Sequence, residues 1–101
     1  MFDFLIEKID SYYEKRQLVV PNTKDSLLWL TSELGELVDA VQRNDEANNW
    51  VRNNPGKKAD LEGEVADVLL MLMVTAKTLS IDPFESLLDK MHRKLKEQNL
   101  A

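Results

Sequence analysis

The chain has no cysteine, so disulfides and thiolate chemistry are both excluded, and a zinc site would lack its commonest sulfur ligands. It has no stretch that alternates with period two for long enough to make a strand, no internal repeat and no low-complexity tract. Its longest apolar run is far too short to cross a bilayer, and no charged leader precedes an apolar segment with a cleavage site. A soluble, cytoplasmic protein without a membrane partner is therefore expected. Basic residues are the minority, 13 Lys and Arg against 18 Asp and Glu, giving a net charge of -5. That balance opposes the counterion release on which polymeric nucleic-acid binding depends. It also repels a free anionic nucleotide unless cations or placed lysines offset it.

What the chain does have is helical periodicity. With 101 residues and 44% hydrophobic content it is the size of one domain, and residues 1–101 are expected to fold as one. Apolar residues recur at helical spacing in four segments, which predicts an all-α fold, a four-helix bundle-like protomer. Helix one runs from about Asp3 to about Arg16, with Leu5, Ile6, Ile9, Tyr12 and Tyr13 on one face. The break at VVPNT offers Asn22 or Thr23 as the next cap. Helix two runs from about Lys24 to Arg43 with an apolar stripe of Leu27, Leu30, Leu34, Leu37, Val38 and Val41. From Asn44 to Lys58 there are five asparagines and a Pro-Gly pair, so a long loop is expected. Helix three runs from about Asp60 to about Leu79. In helix four Asp82 is the N-cap, Pro83 the first helical residue and Glu85 the end of a capping box, followed by Phe84, Leu87, Leu88, Met91 and Leu95 on one stripe.

Helix three is apolar around almost its whole circumference between Val65 and Val74, and a lone unit of this size cannot bury all of it. A homodimer or dimer of dimers is expected. Within that run stands a single polar residue, Asp67, one turn after Glu64. On helix two Glu33 and Glu36 are also three apart, so each pair spans about 60° of its helix. With Leu34 as the stripe centre, Glu33 and Glu36 fall about 100° and 160° round from it; Glu64 and Asp67 lie about 80° and 140° from the apolar centre of helix three. Antiparallel packing would bring the two acidic edges face to face. Four carboxylates at close quarters raise one another's pKa and are hard to desolvate, so something must neutralise them. Oxygen-only ligands suit Mg²⁺ or Mn²⁺, and magnesium shared with substrate phosphates points to phosphoryl chemistry. The single histidine, His92, lies elsewhere in the chain. The alternative is a solvated acidic edge, with Asp67 paired to a lysine of helix four.

The segments SELGEL (Ser32–Leu37), EVADVLLML (Glu64–Leu72) and IDPFESLLDKMHRK (Ile81–Lys94) together resemble the MazG-type all-α nucleoside triphosphate pyrophosphohydrolases, the superfamily that also holds dimeric dUTPases, dCTP pyrophosphatases and phosphoribosyl-ATP pyrophosphohydrolases. The resemblance covers about Thr23 to Lys94. It implies hydrolysis of a nucleoside triphosphate to the monophosphate and diphosphate, in nucleotide-pool house-cleaning. Glu33, Glu36, Glu64 and Asp67 would hold Mg²⁺, with Mn²⁺ a possible substitute, and a glutamate, with Glu33 and Glu36 the candidates, would activate the water. Lys90, Lys94, Lys57 and Lys58 are candidates for the phosphates, and Trp29 and Trp50 for stacking on a base. The chain departs from the family pattern at Ser32, Arg43, Met71 and Lys94. The last three fall where family members would touch the substrate, so the resemblance carries over no base preference. The alternative function is a non-catalytic helical module that keeps the bundle for nucleotide sensing or oligomerisation.

Overall fold

The structure, a computed structural model, describes residues 1–45, 52–53 and 60–100. Its helices are α1 (Phe2–Lys15), α2 (Thr23–Arg43), α3 (Leu61–Thr78) and α4 (Pro83–Glu97). No strand occurs among the described residues, and none of the described helices is long and apolar enough to cross a membrane. The starts of α2, α3 and α4 are fixed by local chemistry. Asn22 caps α2, its side-chain oxygen accepting from the Asp25 N–H at 2.9 Å. Thr23 donates instead to Thr78 at 2.8 Å. Asp60 accepts from the Gly63 N–H at 3.0 Å to begin α3, and Asp82 accepts from Phe84 and Glu85 to begin α4, with Pro83 in the first turn. A Cβ at position 63 would meet the Asp60 carboxylate, so a larger residue there would have to displace the capping side chain.

Helix ends are closed by residues that the sequence does not mark. Gln17 and Ser80 have φ of 56° and 57°. In each case the next residue reaches back five positions, Leu18 to the Tyr13 carbonyl at 2.9 Å and Ile81 to the Ala76 carbonyl at 3.0 Å. This is the Schellman closure, made here without glycine.

Helices α2 and α3 run antiparallel. Thr23 meets Thr78, Ser26 meets Thr75 at 2.9 Å, and Glu33 and Glu36 face Asp67 and Glu64 further along. On α2 the buried residues are Ser26 and Ala40, with Leu30 packed on the core between them. The expected stripe centre is therefore displaced: Leu34 is 46% exposed, and Leu27, Val38 and Val41 are exposed as well. Small side chains and a satisfied hydroxyl pair let the two backbones approach, and the leucine side of α2 stays exposed, with no partner helix among the described residues. The core joins Tyr13 of α1 to Met71 and Val74 of α3, with Ile9, Val20, Leu30 and Leu70 against them. Lys77 and Asp10, 2.7 Å apart, tie α1 to α3 at the surface.

Helix α4 has no buried residue; Leu88 is 65% exposed. It meets α3 around a groove lined by Leu72, Leu79, Ile81 and Leu87. Among the described residues these four helices are the main elements, and there α4 does not close on the others. The radius of gyration is accordingly 17.5 Å, against about 13 Å for a compact chain of this length.

Candidate metal centre

Antiparallel packing of α2 on α3 sets two ExxE/D-type turns opposite each other. Each offers two carboxylates on one helical edge, and the crossing register brings Glu33, Glu36, Glu64 and Asp67 together with one oxygen from each within 4.8 Å of the others. Glu33 and Glu64 are half-buried on the helix–helix side, whereas Glu36 and Asp67 are on the open side. The angular reading of the sequence anticipates this pairing. It misplaces Glu33, which sits nearer the packed face than a stripe centred on Leu34 implies.

The electrostatics are unfavourable for bare carboxylates. One oxygen of Glu33 and one of Glu64, both Oε2, are buried and accept no hydrogen bond among the described residues. Glu33 is pushed up to about 7, first by burial, then by a hydrogen bond and charge from Glu36, then by the charges of Asp67 and Glu64. Glu64 is raised as well, by burial and then by Glu36, Asp67, Asp60 and Asp39. Among the described residues no ion pair joins Asp67 to an α4 lysine. Lys94 lies instead 3.8 Å from Glu97, a contact within α4.

The donor set fits a hard divalent cation. Four carboxylates, two orphaned buried oxygens and no nitrogen or sulfur ligand among the described residues suit a hard cation of the Mg²⁺ or Mn²⁺ kind. The oxygen spacing is near that needed, since Mg–O bonds of about 2.1 Å set opposite ligands roughly 4.2 Å apart.

Beside the acids opens a cavity of about 390 Å³. Glu33 and Asp67 form its inner wall, Trp29, Leu70 and Met71 its sides, and Tyr12, Tyr13, Arg16 and the turn at Leu18, Val19 and Pro21 its outer wall. Arg16 donates to the Tyr12 hydroxyl at 2.6 Å and lies 5.2 Å from the Tyr12 ring centre. Tyr13 packs edge-on against Tyr12, and burial raises its hydroxyl pKa.

Trp29 thus lies next to the acids, 57% exposed, rather than packed between helices. Lys90 lines the groove between α3 and α4, and the single chain does not bring it or Lys94 into the wall around the acids. Lys57, Lys58 and Trp50 lie outside the described residues. Arg43 is 2.9 Å from Asp39 on its own helix, and Met71 belongs to the core. Sequence reasoning missed the α1 side of the cavity by assigning Tyr12 to the buried face. The available signal was Arg16, four residues on, at the spacing of a helical side-chain pair.

A family model, the MazG nucleotide pyrophosphohydrolase domain, matches residues 22–99. No curated protein and no solved structure matches the chain.

Proposed function

The chain belongs to the MazG nucleotide pyrophosphohydrolase family, and from that premise we propose that it is a Mg²⁺-dependent enzyme converting (d)NTP and water to (d)NMP and diphosphate, acting as one helical domain in cytoplasmic nucleotide-pool house-cleaning. The observation that carries this reading is the four-carboxylate cluster with two buried oxygens lacking any hydrogen-bond donor among the described residues. Glu33, Glu36, Glu64 and Asp67 hold the cation. When bound, it neutralises the acids and shares the negative charge of the substrate phosphates. Glu33 or Glu36 orients the attacking water and takes its proton as the new P–O bond forms and the anhydride bond breaks, with diphosphate the leaving group. The acids on the buried side fix the site against the helix seam, and those on the open side admit substrate.

The working form is a homodimer or dimer of dimers. Leu69 and Leu72 on α3, Leu34 and Val38 on α2, and Leu87 and Leu88 on α4 are all exposed in one chain. Exposed apolar side chains on three helices of an 11.7 kDa chain are what an association surface offers. Lys90 and Lys94, which are not among the described residues lining the cavity beside the acids, would meet phosphates from a second copy.

The test is diphosphate release from a panel of canonical and modified (d)NTPs with Mg²⁺, for the wild type, Glu36→Gln and Asp67→Asn. Turnover in the wild type and loss of more than roughly 100-fold in both variants is expected, beyond the 10–100-fold typical of residues that only support a ligand. Full activity in both variants overturns the site. Nucleotide-dependent stabilisation without turnover would favour the sensing module instead.

A further inference from the structure

The cavity beside the acids has a composite origin. Its inner wall comes from α2 and α3, inside the family match, whereas Tyr12, Tyr13, Arg16, Leu18, Val19 and Pro21 precede residue 22, where that match begins. The outer wall therefore comes from residues that precede the matched stretch. We propose that this cavity is the nucleobase pocket of the site, and that Arg16, held by Tyr12, selects bases presenting a keto oxygen, guanine or uracil type, over the amino bases adenine and cytosine.

This rests on the pyrophosphohydrolase reading and deepens it. Glu33 and Asp67 belong to both the acid cluster and the cavity wall. A nucleotide whose phosphates meet the acids therefore has its base beside them, and the cavity of about 390 Å³ lies within the ordinary range for small-ligand pockets, roughly 300–1,000 Å³. The walls suit a flat aromatic ring. Trp29 and Tyr12 are 57% and 45% exposed, with Leu70 and Met71 completing an apolar lining. Large aromatics left open to water next to a charged site are stacking surfaces in waiting.

Selectivity comes from the polar groups. A guanidinium has donors and no acceptor. Arg16 uses one N–H on the Tyr12 hydroxyl, and its position 5.2 Å from the ring centre restrains the planar group. Because the Tyr12 oxygen accepts that bond, its own hydrogen is left to donate. Among the described lining residues the acceptor side chains other than tyrosine hydroxyls are Glu33 and Asp67, both occupied with the cation in this reading. Arg16 and the Tyr12 hydroxyl thus present donors from the outer wall. Guanine offers O6 and N7 to a guanidinium in a two-point match, and uracil offers O4; adenine and cytosine place an amino group at the corresponding edge.

The experiment measures kcat/KM for dGTP, dUTP, dATP and dCTP in the wild type, Arg16→Lys, Arg16→Gln and Trp29→Ala, together with calorimetric titration of the four nucleoside monophosphates. In the wild type dGTP should exceed dATP and dCTP by about tenfold or more, as one good two-point contact provides, and dUTP, with its single O4 contact, should exceed them by a smaller factor. Arg16→Gln should bring that ratio towards one, and Arg16→Lys, which keeps the charge and loses the fork, should lower it too. Trp29→Ala should weaken all four bases by roughly 5–150-fold, the stacking contribution. Equal use of all bases by the wild type, a preference for amino bases, or an unchanged ratio in Arg16→Gln overturns the pocket. Absence of turnover on every nucleotide sinks the hydrolase reading alone, because the monophosphate titrations still decide whether the pocket discriminates.

Discussion

Glu33 concentrates the tension of the site in one side chain. Burial and three neighbouring acids raise it to about 7 from 4.5, so the folded chain without a cation binds more protons than the unfolded chain between those values. Stability must then fall as pH rises through that window and level off above about 7. A cation needs the carboxylate, so its stabilising effect should grow over the same range. Thermal melts from about pH 5 to about pH 8, with and without millimolar Mg²⁺ or Mn²⁺, should show the two curves diverging as pH rises; parallel curves would contradict the cluster as a cation site. The same logic applies to Glu33→Gln. It should raise the metal-free melting temperature at about pH 7.5 by relieving repulsion and abolish the gain from Mg²⁺. At this scale the sequence was informative about identity: a lone Asp67 in an apolar run, and two acid pairs at three-residue spacing, marked all four carboxylates. It could not show which oxygens would lose their solvent, because that depends on how closely two backbones approach.

At the scale of the elements, helix starts were legible and helix ends less so. Asn, Asp and Pro announce starts by side-chain hydrogen bonds that reach only two or three residues. Ser80 and Gln17 adopt the left-handed conformation usually left to glycine, and a turn of this kind is selected by the packing of the residues after it. Ser80→Gly should therefore stabilise the fold by about 1 kcal/mol, the cost that an L side chain carries at positive φ. Urea unfolding monitored by circular dichroism would measure it; destabilisation would show that the Ser80 side chain has another role. Conversely, Ser26 is fully buried between α2 and α3 against Thr75. Ser26→Leu should cost about 1–3 kcal/mol by overpacking a seam that has no space for a branched chain. The stripe of leucines on α2 drew attention away from Ser26, since a hydropathy pattern records what is apolar, not which face has a partner.

For the whole molecule, the open arrangement has a physical consequence. With a radius of gyration of 17.5 Å and an α4 that buries nothing of its own, the chain leaves the leucines of α2, α3 and α4 in contact with water. Sedimentation equilibrium at micromolar concentration should give at least twice 11.7 kDa. Leu69→Asp combined with Leu88→Glu should lower that mass and the melting temperature together, since both remove apolar contact area while leaving the acids intact. A single-chain mass for the wild type would remove the assembly from the proposal.

The sequence by itself determined the helical class, the helix starts and the identity of the acids, because periodicity, capping and charge are local properties carried by neighbouring residues. Tertiary structure decided the rest. It chose the Ser26–Thr75 seam over the leucine stripe, turned Glu33 towards the packed side, and placed Trp29 and Arg16 around one cavity beside the acids. Those outcomes depend on the register and closeness of helices far apart in the chain, which backbone packing fixes and no short stretch of residues encodes.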